Sequence, residues 1–256
     1  MPTIDLNADL GEGFGAYRCG DDAAMLAIVT SANVACGFHA GDPEIMAETF
    51  ALARSRGVAV GAHPGYADLP GFGRRPMPVT AAEIERQVAY QVGAAQGLAA
   101  LAGHRLGYVK AHGALANRAA AERDAADAVA RAVRAVDPTL GLLAIARTQQ
   151  VAAGEAAGLA VHAEIFADRG YDEAGQLIPR GQAGALVTDP EAAAERVLAM
   201  VRASAIVTAA GTHLPTRIDS VCVHGDSAHA IAMARAVRAR LEGAGIALRG
   251  FALRTP

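Results

Sequence analysis

Gly107-Tyr108-Val109-Lys110-Ala111-His112-Gly113 is a short apolar run that turns polar at its end and stops on a glycine. Lys110 is the only lysine in the chain; arginine carries the rest of the permanent positive charge. Successive strand residues point to opposite faces, so Lys110 and His112 share a face at the end of a strand. A lysine ammonium is compact and shifts its pKa readily when buried. That suits base, Schiff-base or anion-binding work that a guanidinium serves poorly. The plain alternative is a solvated surface lysine.

The same grammar recurs along the chain. Strand candidates fall at 3–7, 32–36, 58–62, 108–111, 140–145, 161–166 and 220–223, and Ala-rich helical patterns near 20–30, 43–56, 80–102, 119–136, 147–157, 190–203 and 227–243 separate them. Asp42-Pro43 and Asp189-Pro190 each set an N-cap before a proline at the first helical position. Thr80 with Glu83 forms a capping box, and Ser227 can cap the last helix. Gly57, Gly103 and Gly158 stand where helices should stop. Strands alternating with helices imply parallel pairing, because each crossover carries a helix. Seven such units without a linker predict one closed (β/α)7-type barrel domain over 1–256. An open doubly wound sheet is the alternative. The segment 205–218, with Ile206, Thr208 and a Gly211 turn, breaks the rhythm and reads as an extra hairpin.

Composition bounds the function. About half of the 256 residues are apolar, and the net charge is −3 with mixed signs, so no basic face for nucleic acid is expected. Tryptophan is absent and aromatics are few, which argues against a stacking platform. Cys19, Cys36 and Cys222 form no CxxC pair and fit a reducing compartment. No export signal and no apolar run of roughly 18 residues is visible, so a soluble, cytoplasmic protein without membrane partners is expected.

The polar residues gather where strands end. Asn7-Ala8-Asp9-Leu10-Gly11-Glu12-Gly13 follows the first strand, Gly37-Phe38-His39-Ala40-Gly41-Asp42 the second, and Gly61-Ala62-His63-Pro64-Gly65 the third. Phe166-Ala167-Asp168-Arg169-Gly170-Tyr171 follows the sixth and His224-Gly225-Asp226 the seventh. Carboxyl ends of parallel strands face one mouth of a barrel, where active sites are built. Five of the eight histidines (His39, His63, His112, His224 and His229) lie in or just after these loops, whereas His104, His162 and His213 read as structural. Simpler roles compete: Asn7 and Asp9 can close a turn, and His39 can be a packed second layer. Asp168-Arg169 can be a plain ion pair, or Arg169 can clamp a carboxylate. Arg74-Arg75, after Gly71-Phe72-Gly73, is either solvated charge or a lid facing an anion. Gly11-Glu12-Gly13-Phe14-Gly15-Ala16 matches GxGxxG/A formally, but acidic Asp9 and Glu12 flank the place of a pyrophosphate. No P-loop, HExxH or GxSxG motif occurs.

At these residues the chain resembles the LamB/YcsF family. The matching pieces are Asp5 to Glu12, Ala32 to Asp42, Gly61-Ala62-His63-Pro64, Gly71-Phe72-Gly73-Arg74, Lys110 with His112-Gly113, Phe166 to Tyr171, and Cys222 to Asp226. Two positions depart from the family: Ala111 stands where Pro is usual, and Ala116 replaces a usual Tyr before Asn117. The resemblance implies an irregular seven-stranded (β/α) barrel similar to the polysaccharide deacetylase and glycoside hydrolase-deacetylase barrels. It implies ATP-dependent 5-oxoprolinase activity, opening 5-oxo-L-proline to L-glutamate, with ATP (and its Mg2+) as co-substrate and subunits B and C as partners. Under that activity Lys110 and Arg169 face developing oxygen charge, Asp9 or His112 is the general base, and Asp168 completes the catalytic set. Asn7, Glu12, His39, His63, Arg74, His224 and Asp226 then bind substrate. Some barrels of this kind hold a divalent metal through a first-strand Asp and two later His, which here implies Asp9, His63 and His112. The alternatives are a stand-alone metal-dependent deacetylase-like hydrolase and a non-catalytic substrate-binding subunit.

Overall fold

Seven parallel strands close on one another in the computed structural model, which describes residues 2–224 and 229–251. β1 (Thr3–Leu10), β2 (Ser31–Ala35), β3 (Ala59–His63), β4 (Leu106–Val109), β5 (Gly141–Ile145) and β6 (Ala160–Phe166) pair in sequence order. β7 (Ala205–Val207) and β8 (His213–Pro215) then pair antiparallel as a separate hairpin. β9 (Ser220–Val223) pairs with β6 on one side and β1 on the other. That last pairing closes the barrel and rules out the open sheet. A two-residue β10 (Ala247–Leu248) pairs with Thr3 and Ile4, too short to leave a periodic signal in the sequence.

The connecting helices are α1 (Asp22–Met25), α2 (Pro43–Ser55), α3 (Ala81–Leu101), α4 (Gly113–Ala121), α5 (Arg123–Val136), α6 (Gln149–Ala156), α7 (Pro190–Ala203) and α8 (Ala230–Gly243). Asp42 accepts from the backbone N–H groups of Glu44 and Ile45, Asp189 from Ala192, and Thr80 and Glu83 cap reciprocally, as expected. Ser227 lies outside the described residues; His229 stands at the N-cap of α8. The pattern at 119–136 resolves into α4 and α5, broken at Glu122, whose backbone is extended while its carboxylate takes Arg118. The helix expected near 20–30 shortens to one turn, because Asp22 turns back to accept from Gly11 and Thr49.

Alternation along β1 explains the interior. Ile4, Leu6, Ala8 and Leu10 are buried, and between them lie the buried polar residues Asp5, Asn7 and Asp9. The polar set faces the lumen. Asn7 and Asp9 reach Lys110 just past β4 (3.3 and 3.0 Å), and Asn7 reaches Glu164 of β6 (3.4 Å), although neither strand neighbours β1. Buried polar groups must be satisfied. Here they satisfy one another: Asp5 accepts from Ser31, Thr30 and Ser220, and Asn33 donates to Asn7 and Asp9. Gly61 makes room for this network, since a Cβ there would lie 2.4 Å from the Tyr108 ring whose hydroxyl donates to Asn33. Outside the barrel, Phe50, Ile84, Val88, Val133, Val197 and Val237 bury the helix faces. Among the described residues no helix is long and apolar enough to cross a membrane.

Candidate active site

Lys110 leaves the end of β4 and turns into the lumen, 4% exposed. Its ammonium lies 3.0 Å from Asp9, 3.2 Å from Glu164, 3.0 Å from the Cys222 sulfur and 3.3 Å from the Asn7 carbonyl. Burial alone would lower the lysine pKa; Asp9, Cys222 and Glu164 outweigh it and hold the amine charged well above its usual range. The carboxylates divide. Burial would raise Asp9, but His63 and Lys110 hold it well below the ordinary value. Burial pushes Glu164 up to about 7 despite Lys110. One carboxylate ionised and one titrating near neutrality, flanking a cation, is an acid–base arrangement.

Asp168 and His224 form a second unit, from the ends of β6 and β9. His224 Nδ1 sits 2.8 Å from an Asp168 oxygen, and the His224 Nε2 lies 4.0 Å from Asp9. Burial would raise Asp168, but His224 holds it low. An ionised carboxylate sets the tautomer of the neutral ring: Nδ1–H donates to Asp168, which puts the lone pair on Nε2. Arg169 donates to the carbonyls of Ala185 and Ile178, so its guanidinium fastens the 178–185 loop as well as facing the mouth.

Beside these lie three imidazoles. His63 Nδ1 is 2.8 Å from the Lys110 carbonyl, and His112 Nε2 is 2.8 Å from that of Phe72. His63 Nε2 and His112 Nδ1 face each other at 3.0 Å. His39 stacks on His112 with ring centroids 3.7 Å apart, and Glu12 lies 3.8 Å from both His39 and His112. Burial lowers the pKa of His39 and of His112 well below the ordinary imidazole value.

A cavity of about 300 Å³ opens at the carboxyl ends of the strands, lined by Asp9, His63, Arg74, Lys110, His112, Glu164, Arg169, Arg180 and His224. Asn7 lies beneath it, bonded to Lys110. Asp168 touches it through His224. Glu12 and His39 stand behind His63 and His112 rather than in its wall, and line a separate apolar groove with Phe14 and Leu69. Asp226 lies outside the described residues. Arg75 turns away to pair with Asp68. Asp9 Oδ2 lies 3.4 Å from His63 Nε2, and the same nitrogen faces His112 Nδ1 at 3.0 Å. The donor atoms that lie within 4.8 Å of one another are those of Glu12, His39, His63 and His112, and those of Asp9, Cys222 and His224. Sequence reasoning does not find Glu164, Asn33, Cys222 or Arg180 as site residues. The signal for Glu164 is a carboxylate inside the apolar run Ala163-Glu164-Ile165-Phe166, and for Asn33 an amide inside Ala32-Asn33-Val34. Ala111 and Ala116 both line the cavity.

Fold and site together define a class: a seven-stranded parallel (β/α) barrel with a charged, largely buried mouth. Residues 4–255 match the family model described as LamB/YcsF family, and the chain belongs to that family. A curated relative from Azorhizobium caulinodans, named as the A subunit of 5-oxoprolinase, is 63% identical over 98% of this chain and 100% of its own. The crystal structure of a lactam utilization protein from Thermus thermophilus matches with a TM-score of 0.92 at 44% identity, covering 97% of this chain and 100% of that one. The catalytic domain of a peptidoglycan N-acetylglucosamine deacetylase from Eubacterium rectale shares the fold, with a TM-score of 0.54 at 11% identity over 99% of this chain and 90% of that one.

Proposed function

We propose that this chain is the A subunit of an ATP-dependent 5-oxoprolinase, acting with partner subunits B and C to open 5-oxo-L-proline to L-glutamate. The names of the relatives from Azorhizobium caulinodans and Thermus thermophilus support the lactam as substrate. The observation that carries the reading is the single cavity that presents Lys110, Glu164 and His224 together. Its volume lies at the small end of ligand pockets, roughly 300–1,000 Å³, and suits a five-membered ring with one carboxylate.

A lactam carbon is a poor electrophile, so its oxygen must first be made a leaving group by phosphoryl transfer from ATP, with Mg2+ on the nucleotide. Lys110 meets the negative charge that develops on that oxygen, and Arg74 and Arg180 at the rim are placed for the carboxylate. Water adds to the activated carbon while His224, oriented by Asp168, takes its proton through Nε2. The carbon–nitrogen bond then breaks, and Glu164 supplies the proton that the ring nitrogen needs. A second water displaces phosphate from the resulting acyl phosphate, leaving glutamate, ADP and phosphate. This gives the base role to His224 in place of Asp9 or His112. Asp9 meets Lys110 through one oxygen and His63 through the other, and His112 turns Nε2 to the Phe72 carbonyl and Nδ1 to His63 rather than to the space beside Lys110 and Glu164.

The deciding experiment assays glutamate release from 5-oxo-L-proline by this chain alone and then with subunits B and C, with and without ATP. Turnover only with partners and ATP is expected. Lactam or N-acetyl amide hydrolysis by the isolated chain without ATP contradicts the reading and favours the stand-alone deacetylase-like hydrolase.

A further inference from the structure

Two imidazole nitrogens in this structure face each other at 3.0 Å. His63 gives its Nδ1 to the Lys110 carbonyl at 2.8 Å, and His112 gives its Nε2 to the Phe72 carbonyl at 2.8 Å. A carbonyl only accepts, so each of these nitrogens carries the ring proton. If both rings are neutral, the remaining nitrogens, His63 Nε2 and His112 Nδ1, both bear lone pairs, yet they stand 3.0 Å apart, with an Asp9 oxygen 3.4 Å from His63 Nε2. Such a contact is repulsive unless something positive lies between or beside them.

A third imidazole completes the picture. His39 has 0% exposure, and neither of its ring nitrogens has a hydrogen-bond partner among the described residues. An unpaired buried nitrogen is costly. His39 Nε2 faces a Glu12 carboxylate oxygen at 3.8 Å, and the same oxygen lies 3.8 Å from His112 Nδ1. One donor atom from each of Glu12, His39, His63 and His112 lies within 4.8 Å of all the others. In a tetrahedral site with Zn–N bonds of about 2.0–2.1 Å, donors sit about 3.3 Å apart. The observed 3.0 and 3.8 Å separations bracket that spacing.

The surroundings are built for these rings. A Cβ on Gly65 would lie 2.6 Å from His39 Nδ1, and one on Gly73 would lie 2.7 Å from the Cβ of His39 and 2.9 Å from His112 Cδ2. The two backbone carbonyls that hold His63 and His112 are the outer partners that metal-bound histidines use to fix tautomer and orientation.

We infer that Glu12, His39, His63 and His112 form a binding site for one divalent transition ion of the zinc type. Three imidazoles and one carboxylate suit zinc or a neighbouring first-row ion better than Mg2+, which prefers oxygen and water. This set differs from the Asp9, His63 and His112 set implied by the barrel's resemblance: Glu12 and His39 complete it, while Asp9 meets Lys110 through Oδ1 and lies 3.4 Å from His63 Nε2 through Oδ2. The inference does not rest on the 5-oxoprolinase reading, since the site stands or falls on binding alone.

The test is equilibrium dialysis of the purified full chain against zinc, read by elemental analysis, with cobalt substitution read by visible absorption. One zinc per chain and a strong four-coordinate cobalt band are expected. His39→Ala and Glu12→Gln should each weaken zinc binding by more than the roughly 10–100-fold that loss of an outer hydrogen-bond partner costs. Asp9→Asn and the exposed-histidine control His213→Gln should keep the stoichiometry. Far-ultraviolet circular dichroism of each variant checks that the barrel is intact. Tautomer-resolved nitrogen NMR of the wild-type chain gives a readout independent of any substitution, with His63 and His112 signals shifting on zinc addition. Loss of zinc in Asp9→Asn with retention in His39→Ala would overturn the site. So would substoichiometric zinc, or a proton shared between His63 and His112 that persists at saturating zinc.

Discussion

Lys110 owes its burial to its partners, and they owe their charge to it. Removing one member of a buried ion pair leaves an uncompensated charge, at a cost of about 3–5 kcal/mol. Lys110→Met should therefore lower stability by about that amount in urea unfolding. The double variant Lys110→Met/Asp9→Asn should recover part of the loss, because Asp9, the carboxylate held ionised, then carries no charge to strand; equal loss in both variants would show that the pair is not coupled. His224 has its own dependence. Asp168→Asn removes the acceptor that fixes its tautomer, so kcat should fall by roughly 10²–10⁴-fold with little change in KM. An unchanged kcat in the reconstituted complex would remove His224 as the base.

At the scale of the element, β1 carries a cost that depends on pH. Burial raises Asp5 to about 6 from 3.8, against hydrogen bonds from Ser220, Ser31 and Thr30. The folded pKa lies above the unfolded one, so this group's contribution to stability is fully present below pH 3.8 and is lost as pH rises through 6. The difference amounts to about 3 kcal/mol. Glu164, at about 7, adds to the same slope. Stability measured by denaturant between pH 4 and 8 should fall less steeply with pH in Asp5→Asn than in wild type. Parallel curves would place the Asp5 pKa near its ordinary value. β1 also shows where sequence reading stops. The alternation of Ile4, Leu6, Ala8 and Leu10 with Asp5, Asn7 and Asp9 is legible as a strand with two unlike faces. Usual practice would send the polar face to solvent. Only closure of the barrel sends it inward, and no local pattern encodes that closure.

Over the whole molecule, the seven strand candidates and their polar ends are readable because each strand must turn at one mouth, where glycine and charge gather. Lys110 is readable because it is the only lysine. Which residues meet across the lumen is not. Asn7 and Lys110 are separated by 103 positions and touch only because β1 and β4 stand opposite in the ring. Glu164 and Cys222 lie inside apolar runs, where they read as strand rather than as site. The metal grouping is half legible: His63 and His112 end adjacent strands, but Glu12 and His39 join them through loop geometry that no spacing rule describes. The claim on which the rest depends is that the ammonium of Lys110 stabilises charge at the reacting lactam. It is tested most directly by the initial rate of ATP-dependent glutamate formation from 5-oxo-L-proline, with wild-type or Lys110→Ala chain assembled with its partner subunits. A loss of roughly 10²–10³-fold or more in kcat is the expected result; a rate within a few-fold of wild type, in a variant still folded and assembled, would contradict it.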